Sequence, residues 1–240
     1  MITKENLQKK SKEIHDTRFK FEQAKKVPTV ATKQLTFGCT GWSFDATVLY
    51  IDMRHSTKLL DENRRNVVAK LHMAYYNAIV SIARDMGGEI RSFNGDSLLV
   101  FFLGNSVEVT RTAVRCAFKM KYAITQIVNP AMSGYQDINF GIGVDYGNII
   151  ATKVGIVGDD TTKDLIWLGD AVNRSTRLSD ECKDPYHIGI SSTVYGRLDD
   201  SLKLYNTQWN GRQNVWNTSY LQYNDKVEYM YKSELQIEII

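Results

Sequence analysis

Residues 46–53, Ala-Thr-Val-Leu-Tyr-Ile-Asp-Met, form a β-branched, apolar run that carries a single acid, Asp52, near its end. Such a run reads as a buried central strand, and a lone carboxylate there is poorly solvated unless something meets it. The next fifty residues constrain the topology. Leu60, Val67, Leu71, Tyr75, Ile79, Ile82 and Met86 recur at helical spacing, which predicts a long helix stopped by Gly87-Gly88. A hairpin is expected next, with strands over 89–93 and 97–103 around Asn94-Gly95. The pattern then predicts a helix over 107–128 and strands at 138–144 and 148–154, separated by a turn at Asp145-Tyr146-Gly147. This β-α-β-β-α-β order predicts an α+β, ferredoxin-like (split βαβ) fold.

The flanks differ from this centre. Residues 1–26 mix Lys, Glu and Gln with Leu7, Ile14 and Phe21 at seven-residue spacing, the pattern of a helix with one thin apolar stripe. Two readings stand: a helix that packs on a partner subunit, or a solvated arm. The expected division is an N-terminal helical arm and linker over 1–45 and one catalytic-sized domain over 46–240. A helix over 170–181 and a short one near 191–198 lie in that domain, and its tail, 199–240, is rich in Tyr, Trp and Asn and reads as β-forming.

Composition removes several function classes. A net charge of +3 over 240 residues is too weak to argue for nucleic acid or a membrane surface. No apolar run reaches the roughly 18 residues of a membrane span. Cys39, Cys116 and Cys182 are odd in number and far apart, so neither a disulfide framework nor a zinc site is indicated, and a reducing cytoplasm is expected.

Chemistry concentrates in three places. Asp96 comes directly after the hairpin turn, and a split βαβ fold sets that hairpin beside the strand of Asp52. Two carboxylates about 4 Å apart repel by roughly 4 kcal/mol at an effective dielectric near 20. Such a pair wants a divalent cation, and oxygen-only ligation favours Mg²⁺ or Mn²⁺ over zinc. Read alone, Asp96 is a turn residue. Ser56 or Thr57 is expected to cap the long helix, whose free N–H groups would make a phosphate seat; an ordinary capped helix is the plainer alternative. Asn173 and Arg177, four apart on one predicted helix, share a face and would hold a ribose and a phosphoryl group, or form an ordinary exposed polar face.

Taken together and in order, the Asp52 strand, the Gly95-Asp96 hairpin, residues 143–147 and the string Gly169-Asp170-Ala171-Val172-Asn173 through Arg177-Leu178 resemble the class III nucleotidyl cyclases. The resemblance covers about residues 46–198. It implies that Asp52, Asp96 and the backbone carbonyl of Met53 hold two Mn²⁺ or Mg²⁺ ions. It further implies that Asn173 orients the ribose, that Arg177 stabilises the α-phosphoryl transition state, and that these two come from the other protomer of a homodimer.

The departures from that pattern concern the base. Where purine cyclases usually carry a polar pair, this chain has Ser92 and Ile166, and Tyr50 replaces a common Phe. Tyr50 shares a strand face with Asp52, where its ring would take volume that a purine needs; it is equally a core Tyr. In these features the chain resembles the pyrimidine cyclases of bacterial Pycsar anti-phage systems. That resemblance implies UTP (or CTP) as substrate and a separate effector protein that reads the cyclic product. Arg91, His55 and Lys226 are further candidates at the base, the phosphate loop and the terminal phosphates. The competing readings are an adenylate cyclase with drifted purine contacts, a catalytically inactive cyclase-like binding module, and a polymerase palm domain. The last is disfavoured by size and by the lack of a basic groove.

Overall fold

The computed structural model describes residues 2–239 apart from 157, 160 and 208–210. The chain divides into two compact units, one comprising residues 1–44 and 148–169, the other residues 45–147 and 170–240.

In the first unit, helix α1 (Lys4–Asp16) is capped by Thr3, whose side chain accepts the Asn6 N–H, and buries none of its residues. The helix expected over 1–26 therefore stops ten residues short. Phe21 lies instead on strand β1 (Lys20–Gln23), which pairs in parallel with the start of β2 (Thr40–Arg54). The end of β5 (Asn139–Val154) pairs antiparallel with β6 (Asp164–Leu168). Thr152 Oγ1 donates to the Thr40 carbonyl and Lys153 Nζ to the Thr32 carbonyl, both at 2.7 Å.

In the second unit, β2 leads into helices α2 (Ser56–Glu62) and α3 (Arg65–Asp85), then the hairpin β3 (Glu89–Asn94) and β4 (Ser97–Leu103). Helix α4 (Val107–Tyr122) comes next, capped by Ser106, and a wider π turn over Ala123–Val128 and a short helix α5 (Asn129–Ala131) lead to β5. The strand order β5-β2-β4-β3 is the 4-1-3-2 arrangement of a split βαβ motif, as the sequence predicts. Helix α6 (Asp170–Asp180), β7 (Ile188–Ser191), and the short helices α7 (Ser192–Gly196) and α8 (Asp200–Lys203) continue the chain. The tail forms two hairpins: β8 (Leu204–Thr207) with β9 (Gly211–Asn214), and β10 (Asn217–Tyr223) with β11 (Lys226–Ser233). The second of these extends the sheet to β10-β11-β7-β5. The main core gathers Leu49, Ile51 and Met53 of β2, Leu98 and Val100 of β4, and the inward residues of α3 and α4.

Two expected elements change. The long helix after Asp52 breaks at Asn63, whose backbone N–H and side-chain amide both reach the Leu59 carbonyl, each at 3.1 Å. That local capping competes with continued helix. No turn interrupts β5 at residues 145–147; the strand runs through them.

Candidate active site

Side chains at i and i+2 of a strand share a face, so β2 presents Tyr50, Asp52 and Arg54 on one side and Ile51 and Met53 to the core. Cross-strand partners extend that face. Tyr50 pairs with Leu99 and Leu99 with Ser92; Asp52 pairs with Ser97 and Ser97 with Asn94. The alignment of Ser92 depends on a bulge. The register shifts between Ile90 and Ser92, with Arg91 as the inserted residue, so simple alternation fails. Arg91 donates to Glu89 Oε2 at 2.7 Å and to the Ile90 carbonyl at 2.8 Å.

Asp96 stands at the tip of the hairpin, one residue from the cross-strand partner of Asp52. Gly95 takes φ +64° in the turn, a left-handed conformation that glycine adopts without penalty. Tyr76 of α3 holds this turn from the helix side: its hydroxyl donates to the carbonyls of Gly95 (3.0 Å) and Ser97 (3.1 Å), and its ring packs on Phe93. The two carboxylates are neighbours. Burial first, and Asp96 beside it second, push the Asp52 carboxyl up to about 6, although Arg54 at 2.9 Å works in the opposite direction. Burial also raises the Tyr50 phenol, against a hydrogen bond from Ser97, while Asp52, Asp180 and Asp96 add to the rise. Tyr50 and the two acids therefore share one electrostatic neighbourhood. Tyr75 is fully buried, and its hydroxyl has no hydrogen-bond partner among the described residues.

The donor set fits a hard divalent ion. Among the described residues no group of three His, Cys, Asp or Glu side chains converges. The pair Asp52–Asp96, with the strand-end carbonyl of Met53, offers oxygen only. Such a set suits Mg²⁺ or Mn²⁺, ions that complete their shells with water and phosphate oxygens. Burial and the neighbouring Asp96 both disfavour the charged form of Asp52, and a bound cation would favour it.

Asn173 and Arg177 lie on α6, on a face exposed to solvent; the Arg177 side chain is 67% exposed. With Thr176, Asp180, Gln222, Tyr223 and Asn224 they line a cleft of about 470 Å³. Lys226 comes just after the Asn224-Asp225 turn at the rim and is exposed. One expectation changes. Ser56 and Thr57 do not cap α2: the cap position is His55, in a left-handed conformation (φ 60°, ψ 30°) with no side-chain cap bond, and Ser56 and Thr57 are the first residues of the helix. Ile166 sits on β6 in the first unit, 40% exposed.

Several residues that matter to this site carry no sequence signal of their own. Arg174 donates to Asp145 Oδ2 at 2.9 Å and Glu228 Oε2 at 3.0 Å and lies over the Tyr223 ring. Asp145, 1% exposed, also accepts from Ser191; its burial raises its carboxyl, while Ser191 and Arg174 lower it. Tyr223 in turn donates to Asp170 at 3.1 Å. This network fixes α6 and the tail hairpin together. The two tyrosines of α3 and Arg54 belong with these silent residues.

Residues 43–224 match the family described as the adenylate and guanylate cyclase catalytic domain. The chain belongs to that family and is a nucleotidyl cyclase. It is similar to the uridylate cyclase of Burkholderia cepacia, 32% identical over 165 residues that cover 67% of this chain and 69% of the relative. It is also similar to the uridylate cyclase of Rhodovulum sp., 29% identical over 211 residues, 85% and 84% of the two chains. Among solved structures, the guanylyl cyclase Cya2 superposes with a TM-score of 0.66 at 22% identity, covering 82% of this chain and 94% of that one.

Proposed function

We propose that this chain is a pyrimidine nucleotide cyclase that converts UTP to 3′,5′-cyclic UMP and pyrophosphate. The observation that carries the choice of base is Tyr50, which lies on the strand face of Asp52 and in register, through Leu99, with Ser92. A ring at that place shortens the room for a base, and its hydroxyl offers a hydrogen bond to a small one. The similar uridylate cyclases support the same choice.

In the reaction the ribose 3′-hydroxyl attacks the α-phosphorus in line, and pyrophosphate leaves. Asp52, Asp96 and the Met53 carbonyl would hold the divalent ions, Mg²⁺ or Mn²⁺; bound ions would lower the pKa of the 3′-hydroxyl and neutralise charge on the departing pyrophosphate. Asn173 orients the ribose, and the Arg177 guanidinium meets the charge that grows on the α-phosphoryl oxygens. Both residues point away from their own chain's core, which supports a homodimer in which each chain lends α6 to its partner's metal pair. The cyclic nucleotide then acts as a messenger read by a separate effector protein in anti-phage defence.

Incubation with each of the four nucleoside triphosphates and Mn²⁺, with products identified by mass spectrometry, tests the assignment. Cyclic UMP is expected, with kcat/KM for UTP at least about a hundredfold above ATP and GTP, the loss of two polar base contacts at roughly 1–3 kcal/mol each. Tyr50→Phe should narrow that gap. A preference for CTP would move the assignment to cyclic CMP, and a preference for ATP would remove the pyrimidine reading while leaving the cyclase. Mixing inactive Asp96→Ala with inactive Arg177→Ala should restore activity, because one hybrid centre is wholly wild type.

A further inference from the structure

Beside the acid pair stands a cation that the cyclisation steps do not use. Arg54 lies two residues beyond Asp52 on the same strand face, and its side chain is 15% exposed. Its Nη1 donates to Asp52 Oδ2 at 2.9 Å and lies 3.8 Å from Asp180 Oδ1. Its Nε donates to the Cys182 carbonyl at 3.2 Å. Its Nη2 donates to the Ser179 carbonyl and reaches Ser179 Oγ at 3.1 Å.

Those acceptors belong to the C-terminal turn of α6 and the residues just after it. Helix C-termini leave carbonyls without intrahelical donors, and a cation there is favoured. Strand β5 makes the approach possible. A Cβ at Gly141 would run into Arg54 Nη2 and the carbonyls of Ser179 and Cys182, and Ser179 Oγ donates to the Gly141 carbonyl at 2.9 Å. From Asp180 the chain of charge continues to Arg177 Nη1 at 3.9 Å. Asp52, Arg54, Asp180 and Arg177 thus alternate in sign from the metal pair to the outward face of α6. A cation present only to neutralise Asp52 has no need of three acceptors at the end of α6 and just after it.

We propose that Arg54 is a positioning residue that ties the Asp52 carboxylate to the C-terminal turn of α6, so that one chain's metal pair and its Asn173–Arg177 face are set together. The inference rests on the proposed two-chain site, in which those parts of one chain serve different centres of the dimer. Arg54 then couples the two centres.

Hybrid dimers separated by distinct affinity tags test this. In a hybrid of wild type with Asp96→Ala, the one working centre uses the wild-type metal pair and α6 of the variant chain. Adding Arg54→Ala to the Asp96→Ala chain leaves every residue of the working metal pair intact. The expected result is a fall in kcat of at least about tenfold with KM for the nucleotide changed far less, the signature of a misplaced transition-state group. Arg54→Lys keeps the charge but cannot span Asp52 and α6 together. It should lower kcat in the same arrangement, and it serves if the alanine variant fails to fold. An unchanged kcat for both variants in that arrangement would show that Arg54 serves only its own Asp52, and the coupling is then wrong. A dimeric Asp96→Ala/Arg177→Ala hybrid without activity would overturn the two-chain site itself, and the coupling with it.

Discussion

Replacing Tyr76 with Phe removes one hydroxyl and keeps the ring that packs on Phe93. The lost group is the donor shared by the carbonyls of Gly95 and Ser97, at 3.0 and 3.1 Å, the two peptides that bracket Asp96. Burial, then Asp96 and Asp52, push this phenol to about 12, so it stays a donor at any assay pH. A net hydrogen bond of this kind contributes about 1 kcal/mol, and the melting temperature should fall by roughly 2–4 °C. If the anchored turn is what holds Asp96 against Asp52, part of that free energy must appear in metal affinity. A full 1 kcal/mol corresponds to about a fivefold rise in the Mn²⁺ concentration giving half-maximal rate. Initial rates over a Mn²⁺ titration, beside thermal melts, measure both quantities, and saturating metal should restore most of kcat. A lowered melting temperature with an unchanged metal titration would refute the reasoning, because the turn would then be stabilised without being aimed.

Asp52→Ala and Asp96→Ala should each abolish cyclic nucleotide formation while the far-ultraviolet circular dichroism spectrum is preserved; near-normal turnover in either would remove the two-metal mechanism. The Asp52 carboxyl, raised to about 6, makes the folded state bind more protons than the unfolded chain between about pH 4 and 6. Without metal, its contribution to stability falls as pH rises through that window. A divalent ion needs the ionised form, so the thermal shift produced by Mn²⁺ should be small at pH 5 and large at pH 7.5, and a shift of equal size at both would count against the site. Arg174→Met leaves the buried Asp145 with Ser191 as its side-chain partner among the described residues. It should cost about 3 kcal/mol, or roughly 6–12 °C in melting temperature, and Asp145→Asn added to it should recover part of the loss.

The strands and the acids were legible because each sits in a local pattern: an apolar run ending in Asp52, and Asn94-Gly95 between alternating segments. What the sequence concealed depends on contacts between distant segments. Asp145, Tyr146 and Gly147 read as a turn, yet β5 passes through them. The glycine at 143 exists for close approach: a Cβ there would meet the Ser175 carbonyl and the Ser179 N–H of α6. Glycine in a strand marks either a bend or a neighbouring backbone, and one sequence cannot tell these apart. The bulge at Arg91 likewise arises from no residue preference. Arg54 and Tyr76 look like an ordinary surface cation and a helix aromatic until α6 and the hairpin are brought to them.

The same close packing bears on which centre α6 serves. With Gly143 beneath it, α6 lies against β5 backbone to backbone and buries Ala171, Ser175, Leu178 and Ser179. The Asp145–Arg174–Glu228 network pins the helix at its middle, and the bonds from Arg54 pin its C-terminal end. A helix held this way cannot rotate to turn Asn173 and Arg177 inward without dragging buried serines and a buried leucine into water. A full turn of the face would expose the Leu178 side chain alone at about 1.5–3 kcal/mol and break the Asp145 pair besides. Two residues with phosphate-binding and ribose-binding chemistry are therefore committed to the outward face, with Arg177 67% exposed. If they take part in cyclisation, the ligand they touch has to be presented from outside the chain. The economical supplier is a second copy, whose own outward α6 answers the first. This predicts that the activity per chain falls on dilution below the dimer dissociation constant, and a specific activity constant down to concentrations at which sedimentation shows monomers would contradict it.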